Sequence, residues 1–164
     1  MLPKELYSKL AEEIAQAERP REKAVNVMYS VQNHYGYLTD EGVREVAALL
    51  AMTPLEVEEL ATFYDFIYRQ KVGTYVIHVC DGVVCWMQHE NSVFNYLVKK
   101  LGIQAGETTP DGLFTILPSA CIGDCHNAPA MLINGQFYGR LTPQKIDEVL
   151  ERLKNERCDS VICR

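Results

Sequence analysis

The apolar positions in the first part of the chain recur with the period of a helix. Val25, Met28 and Val31 line one face, and Val43, Val46, Leu49 and Leu50 line another. The stretch from Leu2 to about Tyr68 therefore predicts three or four helices packed as a small bundle. Breaks fall at Arg19-Pro20, at Gly36-Tyr37 and at Met52-Thr53-Pro54. The last break is a helix start: Thr53 and Glu56 have capping-box spacing, and Pro54 takes the first helical position, where no N–H is needed. The helix that follows ends in Ala61-Thr62-Phe63-Tyr64-Asp65-Phe66. This aromatic run reads as packing between domains or, alternatively, as a surface for a partner.

After Lys71-Val72-Gly73 the period changes. Thr74-Tyr75-Val76-Ile77-His78-Val79 is β-branched and aromatic, predicts a buried strand, and ends on Cys80. Residues 90 to 101 predict a helix and residues 113 to 117 a second strand. Met131 to Ile133 and Gln136 to Tyr138 predict a hairpin turned by Asn134-Gly135. Thr142-Pro143 opens a last helix that buries Ile146, Val149, Leu150 and Leu153. The expected fold is α+β. An N-terminal small helical bundle (1–70) precedes a thioredoxin-like α/β domain (71–154), the latter from its order strand, helix, strand, strand, strand, helix. A cysteine-containing tail (155–164) completes the chain.

Composition narrows the chemistry. At 164 residues and 48% hydrophobic, the chain can bury a real core without a disulfide scaffold. A formal net charge of -6 offers no basic face, so neither nucleic acid nor an anionic membrane surface is an expected partner. The N-terminal stretch has no apolar signal region, and no apolar run approaches the roughly 18 residues of a spanning helix. A cytoplasmic protein without direct membrane insertion is expected. Six cysteines in such a reducing compartment point to metal or redox chemistry.

Four of these cysteines form two pairs. Four residues separate Cys80 from Cys85, three separate Cys121 from Cys125, and thirty-five lie between the pairs. Each pair is expected in a loop just after a strand. If the two strands are parallel neighbours, both loops leave the same sheet edge and can present four sulfurs around one site. Four thiolates suit an iron-sulfur cluster or tetrahedral zinc. The wide spacing leans towards a cluster spanning two irons, and zinc stays open. His78, His89 and His126 are not needed as ligands and are read as a strand-face, a helix-start and a loop residue. No pair has the two-residue spacing of a thioredoxin-type dithiol, and no nucleotide-binding motif or catalytic triad is found. The chain is expected to carry electrons, with no catalytic residue of its own.

Gly82 and Gly123 sit inside the loops, where backbone N–H groups can approach the sulfurs. Asp81 and Asp124 adjoin ligands, and neither loop contains Lys or Arg. Negative charge disfavours adding an electron, which predicts a low reduction potential, towards the plant-type value of about -400 mV.

The segments Ala61-Thr62-Phe63-Tyr64, Cys80-Asp-Gly-Val-Val-Cys85, Thr109-Pro-Asp-Gly-Leu-Phe114 and Leu117-Pro-Ser-Ala-Cys121-Ile-Gly-Asp-Cys125, with Ala128-Pro129, resemble a known family. It is the thioredoxin-like 2Fe-2S subunit of NADH dehydrogenase modules, found in respiratory complex I and in related hydrogenases and formate dehydrogenases. The likeness spans roughly residues 20 to 154. It implies that Cys80, Cys85, Cys121 and Cys125 hold a 2Fe-2S cluster. It also implies a partner flavoprotein subunit that binds FMN and NAD(H) and performs the hydride chemistry, within a complex that can include further iron-sulfur subunits. Pro129 resembles the thioredoxin-fold proline that is often cis. The tail departs from the pattern: Cys158-Asp-Ser-Val-Ile-Cys163 nearly copies Cys80-Asp-Gly-Val-Val-Cys85. It reads as a reduced, disordered extension, or alternatively as part of a metal site shared with another chain.

Overall fold

The computed structural model describes residues 2–88 and 92–156. The chain divides into two compact units with the boundary between Lys71 and Val72. His89, Cys158 and Cys163 lie outside the described residues.

The first unit contains α1 (Lys4–Ala15), α2 (Ala24–Tyr35), α3 (Asp40–Leu50) and α4 (Pro54–Phe63). Their apolar faces meet in one core in which Leu10, Met28, Val31, Val46 and Leu50 are fully buried, while Val25 and Leu49 sit at its edge. A 3-10 turn, Pro20–Lys23, precedes α2, and Gly36 ends that helix at a φ of 85°. The Thr53 capping box is closed in both directions. Glu56 N–H donates to Thr53 Oγ1 at 3.2 Å, and Thr53 N–H donates to Glu56 Oε2 at 2.8 Å.

Helix α4 stops at Phe63, and the aromatic run splits there. Phe63 is 77% exposed and meets the exposed Tyr64 edge-on, whereas Ile67 turns into the core. Gln32, buried on α2, holds the returning chain. Its Nε2 donates to the Phe66 carbonyl at 3.0 Å, and its Oε1 accepts from Tyr68 N–H at 2.6 Å. Replacing Gln32 by Leu strands both backbone groups. We expect the change to cost about 2–3 kcal/mol, read as a lower denaturation midpoint at unchanged slope.

The second unit is a four-stranded sheet with helices. Its strands are β1 (Tyr75–Cys80), β2 (Phe114–Ser119), β3 (Met131–Ile133) and β4 (Gln136–Tyr138), in the order β2-β1-β3-β4. Strand β1 runs parallel to β2, with Cys80 opposite Ser119, and antiparallel to β3, with Val79 opposite Met131. Parallel neighbours need a crossover. It contains α5 (Val83–Gln88) and α6 (Ser92–Leu101). Asn134 and Gly135, at φ 46° and 86°, turn the hairpin as a type I′ turn requires. Asn134 also ties the turn to the sheet, accepting from Val76 N–H at 2.9 Å and donating to the Thr74 carbonyl at 2.8 Å.

Strand alternation sets the packing. Tyr75, Ile77 and Val79 share one face with Phe114, Ile116, Met131 and Ile133. Against it lie Val93 and Leu97 of α6 and Ile146, Val149, Leu150 and Leu153 of α7 (Pro143–Asn155). Tyr96 and Lys100 both contact Asp147, at 2.7 and 3.0 Å, and join the two helices at the surface. Among the described residues, no helix is long and apolar enough to cross a membrane.

Candidate metal centre

Three segments meet at one edge of the sheet because β1 and β2 both end there and β3 begins there. Asp81 N–H donates to the Ser119 carbonyl at 2.8 Å, and Cys80 N–H donates to the Ala130 carbonyl at 3.2 Å. The Ala128–Pro129 bond that leads into β3 is cis. This edge carries all four cysteines singled out in the sequence. Cys80 closes β1 and is half-buried, Cys85 is 5% exposed, and Cys121 and Cys125 are exposed in the segment between β2 and β3. One expectation is corrected: Cys85 does not lie in a loop but in the first turn of α5, where Trp86 N–H donates to the Gly82 carbonyl at 2.9 Å.

The thiols lie as two hydrogen-bonded pairs, Cys80 with Cys85 and Cys121 with Cys125, and Cys125 also feels the charge of Cys80. Burial pushes the Cys85 thiol up to about 11, and the bond to Cys80 adds to this. A backbone N–H of Ala130 donates to the Cys85 sulfur and acts in the opposite direction. Cys125 is raised as well, first by its hydrogen bond to Cys121, then by that thiol's charge and by burial. Thiolates paired in this way repel one another unless cations sit beside them; among the described residues, no three His, Cys, Asp or Glu side chains stand together closely enough to hold a single metal ion. Such a donor set suits a group that binds thiolate and releases protons as it enters.

The backbone around the sulfurs is shaped to the same end. A Cβ on Gly82 would stand 3.0 Å from the Ala120 carbonyl oxygen, 3.4 Å from Cys121 Cβ and 3.4 Å from Cys80 Sγ. Gly82 thus lets the two cysteine-bearing segments touch. Gly123 has open space around it and φ +86°, so its role is conformational. Backbone N–H groups of Ala130 and Cys125 donate to the Cys85 and Cys125 sulfurs, and no sequence motif signals the Ala130 donor except its place after Pro129. His78 is buried within β1, and His126 is an exposed side chain in the 3-10 turn Cys125–Asn127. Beside the inner pair is a cavity of about 260 Å³ lined by Val79, Cys80, Cys85, Trp86 and Pro129. Around it Val83, Trp86 and Met87 expose apolar surface, at 68%, 51% and 74%.

A small thioredoxin-like layer with two cysteine pairs at one edge of its sheet carries the donor types of an iron-sulfur electron carrier. The model of the thioredoxin-like [2Fe-2S] ferredoxin family matches residues 10–154. A component of the NADH-quinone oxidoreductase of Escherichia coli is 41% identical over 137 residues, which are 84% of this chain and 82% of that protein. Its counterpart in Pseudomonas aeruginosa is 37% identical over 144 residues, 88% of this chain and 87% of its own. Among solved structures, an NAD+-reducing [NiFe]-hydrogenase in the H2-reduced state superposes with a TM-score of 0.68 at 27% identity. That match covers 80% of this chain but only 22% of the hydrogenase chain. The chain belongs to the thioredoxin-like [2Fe-2S] ferredoxin family. Its cofactor is a 2Fe-2S cluster, and its role is electron transfer as a component of an oxidoreductase.

Proposed function

We propose that Cys80, Cys85, Cys121 and Cys125 hold the cluster and that it exchanges single electrons with the FMN of a partner flavoprotein subunit. When bound, the cluster takes up or gives back one electron at a time. The chain's residues provide the rest. β1 fixes Cys80, α5 holds Cys85 away from water, and the Ala130 N–H donates to the Cys85 sulfur. The single observation that supports the reading is that the two segments bearing the cysteine pairs touch at one sheet edge, at Gly82.

Support for a partner comes from the named relatives, a component of NADH-quinone oxidoreductase and an NAD+-reducing hydrogenase. Hydride chemistry on NAD(P)H belongs, in this reading, to the partner. The apolar surface of Val83, Trp86 and Met87 beside the site, and separately the exposed Phe63 and Tyr64 of the helical unit, are available for contact. We place the complex in the cytoplasm, on the peripheral arm where it is membrane-attached.

The test is EPR of the anaerobically purified, dithionite-reduced chain, with iron and acid-labile sulfide counted on the same sample. The expected result is a 2Fe-2S signal with about two irons and two sulfides per chain. Added to its flavoprotein and NADH, the oxidised chain should then acquire that signal without dithionite. A colourless, EPR-silent protein that contains zinc after cluster reconstitution would overturn the reading and make the site a structural zinc module.

A further inference from the structure

We propose that the Asp124 carboxylate is a fixed negative charge that lowers the reduction potential of the cluster, held in place by Asn127 and Gly139. The proposal rests on Cys121 and Cys125 as ligands. Asp124 directly precedes Cys125, and its side chain is only 12% exposed although both neighbours, Gly123 and Cys125, are open to solvent.

The reason is a clamp across the turn. Asn127 Nδ2 donates to Asp124 Oδ1 at 2.9 Å, and Asn127 N–H donates to the Asp124 carbonyl at 3.1 Å. Residue 124 is thus gripped by both side chain and backbone. Gly139, just past β4, closes the clamp from the far side. A Cβ there would lie 2.3 Å from Asn127 Cβ, 2.7 Å from its carbonyl oxygen and 3.2 Å from Asp124 Oδ2, so only glycine allows this approach. Arg140 N–H donates to the same Asn127 carbonyl at 2.5 Å.

A carboxylate held this way cannot swing into water, and its field reaches the neighbouring ligand with little screening. Asp81, beside Cys80, differs in being exposed. Of the two acidic residues that adjoin ligands, Asp124 therefore has the larger effect. The ionisable groups near the clamp are His126, whose Nδ1 is 3.4 Å from Asp124 Oδ1, and Lys145, whose Nζ donates to the Gly139 carbonyl at 2.5 Å.

The experiment is an EPR-monitored redox titration of the full chain carrying its cluster, in low salt and in ~1 M salt, where exposed charges are screened beyond about 3 Å. Asp124→Asn is expected to raise the midpoint by a tenfold change in the one-electron equilibrium, about 59 mV, and to keep most of that shift in high salt. Asp81→Asn gives a smaller shift that high salt erases. Asn127→Ala keeps the charge but frees it, and is expected to raise the midpoint by less, with a shift that grows as salt is added. This variant decides the matter if Asp124→Asn fails to load its cluster. A midpoint for Asp124→Asn no higher than that of Asp81→Asn, or one for Asn127→Ala equal to the parent's at both salts, overturns the proposal. A missing EPR signal in the parent chain would count instead against the ligand assignment.

Discussion

Replacing Cys85 by Ser is expected to leave the purified protein nearly colourless, with iron falling from about two per chain to near background. Soft thiolate ligands are what iron-sulfur clusters select, and a hydroxyl is a harder and far less acidic donor. The position aggravates the exchange. Cys85 is 5% exposed in the first turn of α5, so water cannot take the place of the missing ligand. Iron and sulfide analysis with EPR reads the result. Serine at both Cys158 and Cys163 is the control and should leave about two irons per chain. Loss of iron there would draw the tail into metal binding.

The second large effect is on stability. Phe114 opens β2, is 1% exposed, and stacks on Tyr75 of β1 with ring centroids 5.6 Å apart. Truncation to Ala removes a ring from the middle of the core face and leaves a cavity that the parallel strands cannot close. The expected cost is about 3–5 kcal/mol. In the cluster-free chain, denaturation followed by the fluorescence of Trp86, the single tryptophan, isolates the sheet unit. A fall in midpoint corresponding to less than about 1.5 kcal/mol would show that the core relaxes around the gap.

Much of this architecture is legible in the residues, and the parts that are not have physical causes. The Val25 and Val43 periodicities, the Thr53–Glu56 box and the Asn134-Gly135 turn each rest on local chemistry, and each forms in the fold. The parallel pairing of β1 and β2 needs only two β-rich runs separated by enough chain for a crossover.

Helix α5 escapes a reading of the sequence because it is six residues long and mostly exposed, with Val83, Trp86 and Met87 turned outward, so it shows no apolar period. Pattern alone ends β2 at Leu117, before Pro118, since proline lacks a ladder donor. The strand continues to Ser119 because it is an edge strand, where that donor is dispensable. Gly139 carries no signal of its own. Its importance comes from Asn127, and chain separation hides the contact.

The four cysteines are legible as a set, but their inequality is not. Cys80 and Cys85 belong to the folded sheet and its first helix, whereas Cys121 and Cys125 ride at the surface. With these four as ligands, the site is a socket with a rigid back and an accessible front. Assembly then has a direction. Cys80 is fixed by the pairing of β1 with β2 and β3, Cys85 by its burial in α5, and the outer pair is the one open to an incoming cluster. The same polarity makes the front of the socket the side on which oxidants first reach sulfur.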